Sequence, residues 1–531
     1  MESFDYVIVG GGSAGCILAA RLSEDGGRTV LLLEAGGRDD SLWVHIPAGF
    51  GKLLTNDRFN WRFVTEPEDN VYGRSIVIPR GKGLGGSSLI NGMIFVRGQP
   101  HDYDRWSQMG NLGWSWDEVL PYFKKMEAFE DGASELRGAD GPMRIVRVGE
   151  RPVLAEAFIA AAAEAGFRRN PDYNGADQEG FGYYQVNQSG GRRHSAYRAY
   201  LKGAMGRPNL AVRTGATVTG LTFDGRRASG VAYRRADGTQ EAVAARGEVI
   251  LAAGAVQSPQ LLELAGIGDP AVLGAAGIAV RQALPGVGAN YIDHFCTRMN
   301  WRVTRPITLN EQSRGWRLAL AVAQYFATGK GILSLATGLA HGFVKTRAEA
   351  IGPDVQYFFM HASYANAADR RLDRAPGMTV GVTGLRPESV GTIHIRPDDP
   401  AGPPAIRPNF LSAAEDRRAL VEGMKIARRI VEQPAMDPYR AFEMSPGPGV
   451  RTDDEWLDFA RRNGQTIYHA LGACSMGTGP AAVVDPQLKV RGTQGLRVVD
   501  ASVMPAMVSG NTAAAVMMVA EKGADLIRRG A

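Results

Sequence analysis

A few positions near the start of the chain have the types and spacing to hold a dinucleotide. Gly10, Gly12 and Gly15 stand at GxGxxG spacing, and an acid, Glu34, follows them. Gly10 permits a tight turn, Gly12 leaves the backbone bare for a pyrophosphate, and Gly15 lets a helix lie close to a strand. The free N–H groups at a helix start favour phosphate. Glu34 offers acceptors to a ribose diol. The elements that must place these residues are also written in the chain. Residues 4–9 (FDYVIV) read as a buried strand, residues 16–22 (CILAARL) as a helix of small and apolar residues, and residues 28–33 (RTVLLL) as a second strand ending at Glu34. A lone GxGxxG also occurs as a simple turn. In the order strand, turn, helix, strand, acid it is a dinucleotide fingerprint.

A second glycine cluster, Gly81-Lys82-Gly83-Leu84-Gly85-Gly86-Ser87-Ser88, follows an apolar stretch at 76–80. Such a loop suits close approach of backbone to a ligand, and it lacks the GK[ST] ending of a nucleoside-triphosphate loop. Taken alone it fits a structural turn as well as a binding loop. Residues 249–254 (VILAAG) read as a buried strand entering a glycine turn, which returns the chain toward the cofactor. Asp224-Gly225 and Asp237-Gly238 mark hairpins within 210–250. Residues 291–464 have no glycine fingerprint. Strands are expected there at 355–360 and 391–396.

At 531 residues more than one domain is expected, and 44% apolar with 22% charged residues is the composition of an ordinary globular protein. A net charge of +5 is small for this length, and no Lys/Arg run is interleaved with aromatics, so nucleic acid is not an expected partner. The short basic cluster Gly191-Arg192-Arg193-His194 reads as solvated or locally paired. Cys16, Cys296 and Cys474 are far apart, giving neither a disulfide framework nor zinc spacing, and no metal is expected. The first strand begins too near Met1 for a secretory signal. No run is long enough to span a bilayer, and the most apolar one, residues 316–327 (WRLALAVAQYFA), reads as a buried helix. A cytoplasmic protein is expected.

Residues 81–104, with Gly98 and Asp102, resemble the first signature of the glucose–methanol–choline (GMC) oxidoreductases. The flanks agree: Asn60-Trp61 and Thr65-Glu66-Pro67 before, Gly113-Trp114-Ser115-Trp116 and Leu120-Pro121-Tyr122-Phe123 after. Residues 254–262 (GAVQSPQLL), closing in Gly266-Ile267-Gly268, resemble the second signature, with Ala265 where serine is usual. Pro285-Gly286-Val287-Gly288, Asp293-His294 and the C-terminal region match as well, so the resemblance covers nearly the whole chain. It implies an α/β fold, α+β in part. A Rossmann-like FAD-binding domain would be assembled from residues 1–150, 205–295 and 465–531. A substrate-binding domain with a mixed or antiparallel sheet would take residues 151–204 and 296–464.

Oxidising an alcohol through a flavin moves a hydride from the carbinol carbon to N5 and a proton from the hydroxyl to a base, for which histidine is suited near neutral pH. By the resemblance, His469 aligns with the family's catalytic histidine and Asn511 with its histidine-or-asparagine partner. Asn511 is no base near neutral pH, so that role falls to His469, while the Asn511 amide donates to the substrate oxygen. Ala470 and Ala473 replace the usual proline and threonine. FAD contacts are implied at Gly10, Gly12, Ser13, Ala14 and Gly15, then at Glu34 and Ala35. They continue at Arg80, Gly85, Gly86 and Ser88. Asn91, Gly92, Met93 and Ile94 would lie near the isoalloxazine ring and Val218 near the adenine. Ala253, Gly254, Asp500, Ala501, Asn511 and Thr512 complete the set, Asp500 and Ala501 toward the ribityl and pyrophosphate portion. Some relatives attach FAD through a histidine at the Asn91 position, so noncovalent FAD is expected here. His101, His294, His341, His361 and His394 are expected to be structural or surface residues.

Choline-oxidising relatives carry a glutamate where this chain has Cys296, which ranks choline below a neutral primary alcohol, whether aliphatic, aromatic or sugar-like. Several stretches look closer to bacterial sorbose and alcohol dehydrogenases than to fungal oxidases. The electron acceptor would be oxygen or a quinone- or dye-like molecule. The alternatives are a choline-type dehydrogenase, a hydroxynitrile lyase of the same fold with non-redox FAD, and a flavin-binding protein without turnover, to which His469 and Asn511 would be of no use. An NAD enzyme would have no use for the second glycine cluster or the C-terminal motif.

Overall fold

The strand Ser3–Val9 is the axis of the first sheet. The computed structural model describes residues 1–366 and 371–530; residues 367–370 and 531, which the domain boundaries expected from sequence take in, lie outside them. Val30–Glu34 runs parallel to the axis on one side, pairing Leu31 with Val7, and Gln240–Leu251 runs parallel on the other, pairing Val249 with Val7. Leu210–Thr214 extends the first side, and the hairpin strands Arg227–Arg235 and Ala216–Asp224 extend the second. Gly225 and Gly238 have φ of +55° and +89°, as the two Asp-Gly turns require. Val7, Ile8, Leu31, Leu32, Val249 and Ile250 are fully buried. A parallel sheet is covered on both faces, which is why these strands are continuous apolar runs. Part of the cover is the helix Ser13–Leu22, tied to the C-terminal helix Ala513–Arg528 by an Arg21–Glu521 ion pair of 2.8 Å. The end of Gln240–Leu251 also pairs in parallel with Leu496–Val498. That pairing brings the C-terminal segment beside the first glycine loop.

The second sheet is antiparallel throughout, in the order Arg440–Ser445, Phe295–Val303, Gly377–Gly384, Val355–Met360, Ala340–Val344, Gly180–Tyr183. Gln465–Thr466 adds to it beside Phe295 and Cys296. Its residues alternate as an antiparallel sheet with two different faces should. Met299, Trp301, Tyr357, Phe359, Val380 and Val382 point into a core shared with the helix Ala414–Val431. Cys296, Arg298, Phe358, Met360, Thr379 and Gly381 line a cavity on the other face.

Three expectations need correction. Residues 316–327 do form a helix, Gly315–Thr328, but it lies on the surface, with Trp316, Leu320 and Phe326 69%, 59% and 61% exposed. Only Tyr325 is buried, its Oη donating to Gly191 O at 3.1 Å. A short apolar run does not reveal by periodicity which environment it meets. Arg193, read as solvated or locally paired, is buried; it donates to Val44 O, Ser88 O and Asn91 Oδ1. The strand expected at 391–396 shrinks to Thr392–His394, which pairs with Ala405–Arg407 in a two-stranded sheet apart from both large sheets. Among the described residues, no helix is long and apolar enough to cross a membrane.

Candidate active site

The two glycine loops form one structure. Gly10 turns the chain with φ +102° directly after the first strand. A Cβ on Gly15 would lie 1.8 Å from Gly10 O, so helix and turn are packed to backbone contact. A Cβ on Gly12, by contrast, would meet nothing nearer than Ala252 O at 3.8 Å, leaving space above the helix start. The second loop leans on the first: Gly85 N donates to Gly11 O at 2.7 Å, and a Cβ on Gly86 would lie 2.7 Å from Gly12 Cα. Glu34 ties both loops together. Its Oε2 accepts from Gly11 N at 2.7 Å, and its Oε1 from Gly36 N at 2.7 Å and Gly83 N at 2.9 Å. Burial pushes this carboxyl up despite the three amides. Much of its accepting capacity is thus spent on the loops, and Oε2 keeps room for a ribose hydroxyl.

Beside these loops runs a cavity of about 690 Å³. Glu34, Ala35, Val218, Gly10, Gly12, Ser13, Ala14 and Gly86 line it, and so do the polar His469 and Asn511 with Asn91, Gly92, Met93 and Ile94. Arg80, Ser88, Ala253, Gly254, Asp500, Ala501 and Thr512 also reach it. Of the cofactor residues expected from sequence, Gly15 and Gly85 stay behind the wall and shape it. Asp500 lines the cavity, with its carboxylate bonded to neighbouring protein groups. Oδ2 accepts from Gly254 N and Ser258 Oγ, and Oδ1 from Ser502 N and Ser502 Oγ, so every lone pair is occupied in joining the C-terminal segment to the strand end. A ribose acceptor, a bare glycine backbone at a helix start and a polar pair, all lining one cavity, fit FAD.

The backbone before His469 bends through Tyr468 at φ +74°. The buried Asp293 and the half-buried Arg80 hold this bend. Asp293 accepts from Thr466 Oγ1 at 2.5 Å and from His469 N at 2.8 Å, and Arg80 Nη2 donates to Tyr468 O at 2.9 Å. The proton positions follow from the hydrogen-bond network. His294 Nε2 lies 3.0 Å from Leu385 O, and a carbonyl only accepts, so Nε2 carries the proton. Burial lowers His294 to about 4, so the ring is neutral and its Nδ1 is an acceptor. His294 Nδ1 is 2.9 Å from His469 Nδ1, which therefore donates. His469 Nε2 is left unprotonated, as an acceptor. Asn511 Nδ2 donates to it at 3.2 Å, and Gln356 Nε2 fixes that amide by donating to Asn511 Oδ1 at 3.2 Å. Burial first, then His294 and Arg80, hold His469 well below the usual histidine value. It is a neutral imidazole lining the cavity.

His294, Gln356 and Arg193 are the residues that sequence reasoning missed. His294, set aside as structural, orients the His469 imidazole. Gln356 is the polar residue inside an apolar strand, a signal that could have been followed. Arg193 holds Asn91, whose Oδ1 accepts from Met93 N at 3.1 Å and Arg193 Nη1 at 2.7 Å.

A glycine-loop sheet, a second antiparallel sheet and a histidine–asparagine pair have the make-up of a dinucleotide-dependent oxidoreductase. Comparison with known proteins makes this specific. Residues 4–296 and 387–520 match the N- and C-terminal domain models described as GMC oxidoreductase. An alcohol dehydrogenase [acceptor] of Pseudomonas putida is 41% identical over 99% of this chain and 96% of its own length. An oxygen-dependent choline dehydrogenase of Staphylococcus aureus is 42% identical over 99% of this chain and 94% of its own. A solved formate oxidase of Aspergillus oryzae, a variant studied for modification of its FAD, superposes with a TM-score of 0.92 at 26% identity, over 100% of this chain and 98% of that one. The chain belongs to the GMC oxidoreductases, FAD-dependent enzymes acting on CH–OH donors.

Proposed function

We propose that this enzyme oxidises a primary alcohol carrying no positive charge, whether aliphatic, aromatic or sugar-like, with noncovalently bound FAD and with His469 as the base. The observation that carries the reading is the unprotonated Nε2 of His469, at the cavity and 3.2 Å from Asn511 Nδ2. Bound FAD supplies the acceptor for the hydride that leaves the carbinol carbon. The hydroxyl proton passes to His469 Nε2, and Asn511 Nδ2 donates to the carbinol oxygen as negative charge grows there. His294 keeps the imidazole in the receptive tautomer, while Asp293 and Arg80 fix the backbone that carries it. Asn91 supports noncovalent binding: an amide has no ring nitrogen for a histidyl–flavin bond, and its oxygen is already held. Cys296, buried where a cationic substrate would need a carboxylate, speaks against choline.

Mixing the yellow holoenzyme with a panel of alcohols without oxygen tests this. Bleaching of the flavin band by one alcohol class is the expected result. Rapid recolouring in air then identifies oxygen as the acceptor, and recolouring only with a quinone or dye identifies a dehydrogenase. Cyanide release from a cyanohydrin, with the flavin colour unchanged and no alcohol able to bleach it, would replace oxidation with a lyase reaction.

A further inference from the structure

The second sheet floors the cavity beyond His469, and its register sets out what a substrate meets there. Gln356, Thr383 and Cys296 lie opposite one another across three strands; Phe358, Gly381 and Arg298 form the next row on the same face. The first row supports the catalytic pair, through Gln356 on Asn511. The second lies two residues along, about 7 Å farther from it. At its centre Gly381 has no side chain, and even a Cβ there would reach Phe358 and Cys296 only at 3.5 and 3.6 Å. Phe358 and Arg298 therefore flank an open groove, and all three residues line the cavity.

Arg298 brings a charge to this groove that the oxidation does not use. With the Gln465 amide turned so that its oxygen faces the guanidinium, Oε1 accepts from Nη2 at 2.7 Å and also from Nη1. That is a neutral partner for a group with five donors. Among the described residues lining the cavity, the carboxylates are Glu34 and Asp500, and both are engaged by backbone amides and hydroxyls. A half-buried guanidinium in a groove with Phe358 and Met360 matches a planar anion held by two parallel hydrogen bonds. We propose that Arg298 binds a substrate carboxylate, so that the substrate is an alcohol joined to a carboxylate through an apolar spacer lying on Phe358. The inference rests on the alcohol-oxidation reading and replaces the neutral substrate expected from sequence with an anionic one. Like charge at Arg298 also disfavours a trimethylammonium group.

The test uses the FAD-loaded enzyme and two pairs of probes. The reactive pair is para-(hydroxymethyl)benzoate and its neutral isostere para-(hydroxymethyl)benzamide, followed by flavin reduction without oxygen. The unreactive pair is para-toluate and para-toluamide, followed by their perturbation of the flavin spectrum. The wild type is expected to favour both carboxylates. Arg298→Gln should weaken para-toluate binding, and lower the reduction efficiency with the hydroxymethyl acid, by about 10- to 100-fold, the scale of charge-assisted hydrogen bonds. Both amides should be unaffected, and Arg298→Lys should recover part of the loss. Equal binding of acid and amide by the wild type, or equal weakening of both by Arg298→Gln, would overturn the inference. Bleaching by the amide as readily as by the acid would leave alcohol oxidation standing and remove the anion subsite. Para-toluate binding through Arg298 with no bleaching by any alcohol would keep the subsite and defeat the oxidation reading.

Discussion

His294 should control the reactivity of His469 without touching the substrate, and His294→Phe isolates that effect. The phenyl ring fills nearly the same space but has no acceptor for His469 Nδ1–H, which now donates to His294 Nδ1 at 2.9 Å. A buried donor left unpaired costs about 1–3 kcal/mol. His469 can avoid this by moving its proton to Nε2, which hides the lone pair that takes the hydroxyl proton. Either way the reactive tautomer is penalised by about that amount, and flavin reduction by the alcohol should slow by about 5- to 150-fold. The pH profile gives an independent readout. His294 is the second cause, after burial, of the lowered His469 pKa. Its removal lets that pKa rise toward 6.5. Because the base works deprotonated, the acid limb of the rate profile should then move to higher pH. His294→Gln, which restores an acceptor, should recover part of the rate. His294 itself is lowered to about 4. Between pH 6.5 and 4 the unfolded chain binds that proton before the folded one, so wild-type stability should fall across this window and His294→Phe should lose this component of the fall. The assay is single-turnover flavin reduction across pH, with thermal unfolding beside it. Wild-type reduction with an unmoved acid limb in His294→Phe would refute the tautomer argument.

Gly15→Ala places a methyl group 1.8 Å from Gly10 O, against the backbone of the turn; it should cost about 3 kcal/mol or more and yield protein with little flavin, as read by the ratio of flavin to protein absorbance. Heat or acid should release FAD into the supernatant, because Asn91 provides no linking nitrogen; flavin left on the washed precipitate would show a covalent bond.

The cofactor half of the site was legible because its chemistry is backbone chemistry. Gly10 turns the chain, Gly12 leaves open space and Gly15 packs against the turn, and glycine is the residue whose presence betrays a turn, a close approach or a positive φ. The two Asp-Gly hairpins were legible for the same reason. The catalytic half was harder to read. His469 and Asn511 came from a family resemblance, and nothing in their local sequence shows that they meet. His294 and Gln356 act through contacts across strands far apart in the chain, and periodicity says which face a residue takes but not what stands opposite it. Arg193 lies in a basic cluster that reads as surface, yet its guanidinium is drawn inside by Val44 O, Ser88 O and Asn91. The Gly315–Thr328 helix went the other way: its apolar residues suggest a core, but only Tyr325 finds one.

The central claim is that His469 takes the hydroxyl proton while FAD binding depends on residues elsewhere. Rapid mixing of FAD-loaded His469→Ala with the best alcohol, without oxygen, tests it most directly. The account predicts full flavin content and reduction slowed by about 10²-fold or more. Reduction at the wild-type rate in a variant that keeps its FAD would contradict it.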